Sequence, residues 1–184
     1  MANPIALRET LAVLNEMEAA GVIGRYAICG AVAAFRHIEA FMTLDLDISV
    51  FLPGVSYGVV TLSPIMDFLS RTSRPAVWRG EGLVIGRWPV QFLVAADPLD
   101  DAALQAAETV DVDGVETRFW AMEYLMAKCV QVGRPKDHAR LVQFLEQPFD
   151  SKRFCAILHA FELGERFAGF CRRFELENVC ATDA

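Results

Sequence analysis

The chain has 184 residues, a formal net charge of −7 and 54% hydrophobic residues at a mean hydropathy of +0.30, enough for one well-buried core with a helical appendix and too apolar for a disordered chain. The acidic balance argues against broad electrostatic capture of nucleic acid, which needs a basic face. The longest apolar run, YAICGAVAAF at residues 26–35, falls short of the roughly 18 residues of a membrane span, and no basic segment precedes an apolar one at the N-terminus; no membrane association and a cytoplasmic location are expected.

Taken in chain order, Ile5, Leu7, Leu11, Leu14 and Met17 recur at helical spacing until Gly21, predicting a helix over 4–20. YAIC reads as a short buried strand, and Gly30-Ala31 turns it into a helical run, AVAAFRHIEA. In TLDLDISVFLP, residues 43–53, Asp45, Asp47 and Ser49 alternate with Leu46, Ile48 and Val50. That is a strand with one polar and one apolar face, closed by Pro53-Gly54. SPIMDFLSR predicts a helix capped by Ser63 with Pro64 at its first position. Three short strands follow in AVWRGE, LVIGRW and VQFLVA, then a helix started by Asp97-Pro98, then a hairpin turning at Asp113-Gly114.

From Trp120 onward the pattern is helical throughout. Met122, Leu125, Met126, Cys129 and Val130 form one stripe, and His138, Leu141, Val142 and Leu145 a second; further helices are expected at 151–162 and 164–175. The fold class is therefore α+β: a mixed sheet with its helices over 1–119 and a helical cap over 120–184. The five cysteines (Cys29, Cys129, Cys155, Cys171, Cys180) are odd in number and lack CxxC or Cys/His spacing. Reduced thiols are expected, with neither a disulfide framework nor a zinc site. His37, His138 and His159 are dispersed and read as structural or surface groups.

Two carboxylates on one strand face stand roughly 6.5 Å apart and repel each other, which calls for a cation. A solvated strand face is the plain alternative. The surroundings decide between them. ICGA, thirteen residues, then DLDI gives the order strand, glycine turn, helix, strand with Asp-x-Asp. In this order the sequence resembles the polymerase β-like nucleotidyltransferase superfamily, in particular its small bacterial AbiE toxin-like and minimal members. EYLMAKCVQVGRPKDHARLVQFL extends the similarity, so that it spans residues 26–146, about two thirds of the chain.

The resemblance implies a nucleotidyltransferase-type mixed sheet flanked by helices, and transfer of a nucleoside monophosphate from a magnesium-bound nucleoside triphosphate to an acceptor hydroxyl on a small molecule, protein or tRNA. It assigns Asp45 and Asp47 to catalysis and to Mg2+ or Mn2+, whose charge offsets that of the triphosphate. Gly30 and Ala31 would meet the triphosphate through backbone N–H groups, and Lys128 would touch a phosphate. Arg134, Lys136 and Asp137 support the site, with Asp137 fixing the turn by a salt bridge. Without the resemblance, RPKDH reads as a charged helix start.

Three positions depart from the family pattern. Ala31 replaces a second glycine or serine, and Arg140 stands where an acid is common. The third carboxylate, on a later strand, is replaced by Gln91 in PVQFLV. An amide keeps an oxygen but gives up the charge, so it cannot act as a general base and binds magnesium weakly. The nearest acids are Glu81, which opens the preceding strand, and Asp97, beyond the strand end at a helix start. Two functions follow: an active transferase, or an impaired nucleotide-binding or protein-interaction remnant such as a toxin–antitoxin component.

Overall fold

The computed structural model describes residues 4–39, 43–52, 61–74, 77–95 and 97–181, so the Pro53-Gly54 strand end lies outside the described residues. The chain forms two compact units, one of Met1–Ala33 with Phe41–Trp120, the other of Ala34–Ala40 with Ala121–Ala184. In the first, α1 (Pro4–Ala19) buries Leu11, Leu14 and Met17, three of the five positions its spacing singled out, while Leu7 is half-buried, and Gly21 ends it at φ +68°. Then come β1 (Tyr26–Ile28), α2 (Gly30–Ala34), β2 (Leu46–Val50), α3 (Ser63–Arg71), β3 (Val77–Arg79), β4 (Gly82–Ile85), β5 (Trp88–Val94), α4 (Pro98–Gln105), β6 (Glu108–Val112) and β7 (Val115–Phe119).

The strands form one mixed sheet in the order β3-β4-β5-β2-β1-β7-β6. β2 pairs antiparallel with β1 and parallel with β5, so it lies inside the sheet with both edges bonded. Its apolar face, Leu46, Ile48 and Val50, is fully buried, worth about 1.5 to 3 kcal/mol per side chain. Helix α4 packs on β2, and α1 packs on β5 and β7. Asp97 caps α4 by accepting from Asp100 N at 2.9 Å. Asp113 (φ +52°) and Gly114 (φ +82°) make the two-residue turn between β6 and β7, as the Asp-Gly pair predicts.

A buried polar network ties the first unit together. The Tyr26 hydroxyl donates to Asn15 Oδ1 at 2.6 Å and lies 3.2 Å from Thr117 Oγ1. Arg118 pairs with Glu18 at 3.0 Å and donates to the Tyr26 carbonyl at 3.3 Å. One tyrosine thus links α1, β1 and β7.

The second unit contains α5 (Met122–Val132), α6 (Pro135–Leu145), α7 (Ser151–Ala160) and α8 (Gly164–Phe174), with α5 packed against the other three. The predicted stripe of α5 is buried in full. An edge-to-face pair, Phe154 and Phe167 at 5.1 Å, joins α7 to α8. Glu123 is buried, and its carboxylate accepts from Asp150 N at 3.2 Å and pairs with Arg153 at 3.4 Å.

Several expectations are corrected. Helix α2 has five residues, well short of AVAAFRHIEA: the chain tightens after Ala34, whose carbonyl accepts from both His37 N and Ile38 N. Ser63 is the first helical residue of α3, and its N–H is satisfied by Thr61 Oγ1 at 3.2 Å. The inner face of α6 is Asp137, Leu141 and Phe144, so of the expected stripe Leu141 is buried while His138, Val142 and Leu145 are half-buried. Hydrophobic periodicity passes over a buried aspartate whose charge is satisfied locally. Cys155 and Cys180 form a disulfide, with Cα atoms 5.4 Å apart, which corrects the expectation of reduced thiols throughout, while Cys29, Cys129 and Cys171 stay outside it. The pairing joins α7 to the segment after α8, and a separation of 25 residues leaves no local motif to read.

Burial pushes the Tyr26 phenol from 10.0 up to about 12, with the Thr117 bond opposing. Burial, then the charge of Asp137, pushes the Cys129 thiol from 9.0 up to about 12. The folded protein holds protons that the unfolded chain releases, so this stability is complete below the unfolded values and is lost as pH rises through 9 to 12. Urea unfolding between pH 8 and 11 should show it, with Tyr26 contributing about 1.4 kcal/mol per pH unit above its unfolded value. Tyr26→Phe should flatten that decline; an unchanged slope would contradict the assignment.

Candidate active site

The site is built on the polar face of β2. Asp47 is the second residue of that strand and is half-buried. In the parallel ladder with β5 it pairs with Gln91, and Ser49 pairs with Leu93, so these four side chains share one sheet face. The residue read as the third-carboxylate position thus stands directly across from Asp47. Asp45 precedes the first residue of β2 and is also half-buried. The strand begins one residue later than its alternation suggested. Thr43 Oγ1 donates to Asp45 Oδ1 at 3.0 Å and lies 3.2 Å from its carbonyl oxygen, which orients the carboxylate. Thr43 drew no attention in the sequence, although a hydroxyl two residues before an acid is a common local partner.

Gly30 owes its identity to Asp47. Cys29 N donates to the Asp47 carbonyl at 3.0 Å, which pins the end of β1 against β2. Gly30 then turns at φ +61°, a conformation that disfavours any Cβ. A Cβ at this position would lie 2.8 Å from Asp47 Cγ and 2.9 Å from its Cβ, and would overlap Oδ2. Rotating the Asp47 side chain would move Cγ and Oδ2 away but not Cβ. The need for glycine here therefore arises within the chain. Ala31 is buried, and a helix of five residues offers little of the aligned dipole that a long helix gives an anion.

Gln91 Nε2 donates to Glu81 Oε2 at 3.3 Å. Glu81 lies in the turn between β3 and β4, one residue before the strand it was expected to open. Asp97, the other nearby acid, is engaged as the cap of α4. Asp45 and Asp47 offer hard oxygen donors of the kind Mg2+ and Mn2+ take. Among the described residues, no group of three or more His, Cys, Asp or Glu gathers to hold a metal. The donor set fits an ion that completes its shell with substrate phosphates and water, as magnesium commonly does.

Lys128, Arg134, Lys136 and Asp137 belong to the second unit. Lys128 is half-buried on α5, and Lys136 is exposed on α6. Asp137 is 3% exposed, accepts from Arg134 N at 3.1 Å and pairs with Arg134 Nε at 2.7 Å. It closes the Gly133–Pro135 turn, where Gly133 takes φ +66°. This geometry accounts for Arg134 and Asp137 as a helix start.

No family model matches the sequence, and no curated protein sequence matches it. Among solved structures the chain is similar to an antigenic nucleotidyltransferase-like protein from Paracoccidioides brasiliensis, with 16% identity over 92% of this chain and 88% of that one and a TM-score of 0.59. ANT(2")-Ia in complex with adenylyl-2"-tobramycin aligns with 16% identity over 93% and 98% of the two chains, at a TM-score of 0.43. The first likeness establishes the fold: an α+β, nucleotidyltransferase-like fold with a mixed seven-stranded sheet and C-terminal helices. Among the described residues no helix is long and apolar enough to cross a membrane.

Two glycine substitutions separate backbone strain from crowding. Gly21 has φ +68° and nothing within 4 Å of a built Cβ. Gly21→Ala should therefore pay only the left-handed penalty, about 1 to 2 kcal/mol. Gly30→Ala should exceed it by about 1 to 3 kcal/mol through overlap with Asp47. Equal losses in urea unfolding would show that Asp47 does not fill the space over Gly30.

Proposed function

We propose that the chain is a small polymerase β-like nucleotidyltransferase, related to the bacterial minimal and AbiE toxin-like branch. It transfers a nucleoside monophosphate from a magnesium-bound nucleoside triphosphate to an acceptor hydroxyl on a small molecule, protein or tRNA. The observation that carries this is Asp47 lying over Gly30, with Asp45 just ahead of the same strand, in a nucleotidyltransferase-like fold. Asp45 and Asp47 would hold Mg2+ or Mn2+. That ion supplies charge neutralisation on the phosphates and alignment of the reacting oxygens.

The chain's own residues have separate tasks. Thr43 keeps the Asp45 carboxylate turned for binding. The backbone at Gly30 and Ala31 would border the triphosphate, and its lack of side-chain bulk at Gly30 keeps Asp47 in position. Lys128 enters through the sequence resemblance as a phosphate contact, with Arg134, Lys136 and Asp137 as support.

One observation favours the second reading, an impaired nucleotide-binding or interaction remnant of toxin–antitoxin type: the neutral amide of Gln91 directly across from Asp47. An α-labelled nucleoside triphosphate separates the two, because only the transferase moves label to an acceptor.

Binding gives an earlier test. The paired carboxylates leave most of a metal shell to phosphate and water, so magnesium alone should raise the thermal midpoint less than magnesium with a triphosphate. Magnesium with a triphosphate at a hundred times its Kd should add about 2.7 kcal/mol. Asp47→Asn should abolish that increment, and Lys128→Ala should weaken affinity about ten- to a hundredfold, as loss of a charge-assisted contact predicts. A triphosphate that gives wild type no increment would contradict the transferase reading and leave only a protein-interaction remnant.

A further inference from the structure

The contact between Gln91 and Glu81 returns a carboxylate to the face from which the sequence removed one. Gln91 is in register with Asp47, and its amide N–H ends on Glu81. A carboxylate only accepts, so the amide has one useful orientation toward it. Glu81 is not on a loose loop. Arg79 pairs with Gly82, so Gly80-Glu81 is a two-residue hairpin turn. Only its first central residue, Gly80 at φ +61°, has a positive φ, as a type II′ turn requires. Gly82, which opens β4, adds no side chain next to this turn.

We propose that Glu81 is the general base of this site, held beside Asp47 by the amide of Gln91; this deepens the nucleotidyl-transfer reading and rests on it. In the transfer step the acceptor O–H gives its proton to Glu81. The acceptor oxygen forms a bond to the α-phosphorus, and the bond from that phosphorus to the α,β-bridging oxygen breaks. Pyrophosphate leaves with the electron pair, and Glu81 returns its proton to water. Gln91 is a positioning residue: it touches Glu81, not substrate.

Four proteins test this: wild type, Glu81→Gln, Gln91→Asp and the double variant. Without metal or nucleotide, Gln91→Asp should lower the thermal midpoint by setting an anion against Glu81, and adding Glu81→Gln should relieve it. With Mn2+ and a non-hydrolysable triphosphate, Glu81→Gln should bind within about threefold of wild type. With α-labelled triphosphate, label reaching any acceptor, water included, should fall about a hundredfold or more in Glu81→Gln, the scale of a lost general base. The double variant, which moves the carboxylate from 81 to 91, should recover most of that loss.

A Glu81→Gln protein that transfers at the wild-type rate, or a loss that Gln91→Asp does not recover, overturns the base assignment while leaving the nucleotidyltransferase reading in place. Wild type that binds the triphosphate and transfers no label overturns the assignment and favours the remnant reading. Wild type that binds no triphosphate overturns the base assignment and the nucleotidyltransferase reading together.

Discussion

The carboxylate of Asp47 occupies the space in which residue 30 would carry a side chain, and much of the site follows from that crowding. Cys29 is bonded to the Asp47 backbone, so β1 cannot withdraw from β2 to make room. Residue 30 must turn with positive φ and must lack a Cβ, and glycine meets both demands. The same approach fixes where the Asp47 carboxylate sits, because the sheet immobilises its backbone on both edges. A functional carboxylate gains accuracy from a strand interior that a loop does not provide.

Around this contact the site divides its charge unevenly. Two anions lie along one strand start, and a neutral amide faces one of them from β5. Three carboxylates clustered on adjacent strands would repel strongly without metal, raising the protonation of at least one. An amide at position 91 avoids that penalty in the empty protein. It also bonds a fourth side chain, Glu81, which is exposed to water. In this arrangement the apo protein carries less electrostatic strain, and proton acceptance is moved from a central strand to a neighbouring turn.

Much of this was legible in the sequence where one physical signal dominated. Period-two alternation gave β2 and a strand over VQFLVA, and the family resemblance put Gln91 at the third-carboxylate position, which the register sets across from Asp47. Asp97-Pro98 and Asp113-Gly114 marked a helix start and a hairpin because each residue type satisfies a local backbone need. Signals failed where a partner that hydrophobic periodicity does not register decides. The Cys155–Cys180 bond depends on the chain folding back after α8. The inner face of α6 includes Asp137 because Arg134 satisfies it, which hydrophobicity alone does not register. Gly30 was visible as a glycine turn, but its cause, the Asp47 side chain, appears only when two strands are set side by side. Glu81 was noticed as a nearby acid, and its bond to Gln91 required the tight Gly80-Glu81 turn.

The central claim is that Asp45 and Asp47 form a metal site completed by a nucleotide. The most direct measurement is a crystal structure of the protein with Mn2+ and a non-hydrolysable nucleoside triphosphate, read by anomalous diffraction at the manganese edge. The account predicts a manganese peak bound by the Asp45 and Asp47 carboxylates and by phosphate oxygens of the same nucleotide. A nucleotide bound elsewhere, or a fully occupied manganese that touches neither aspartate, would contradict it.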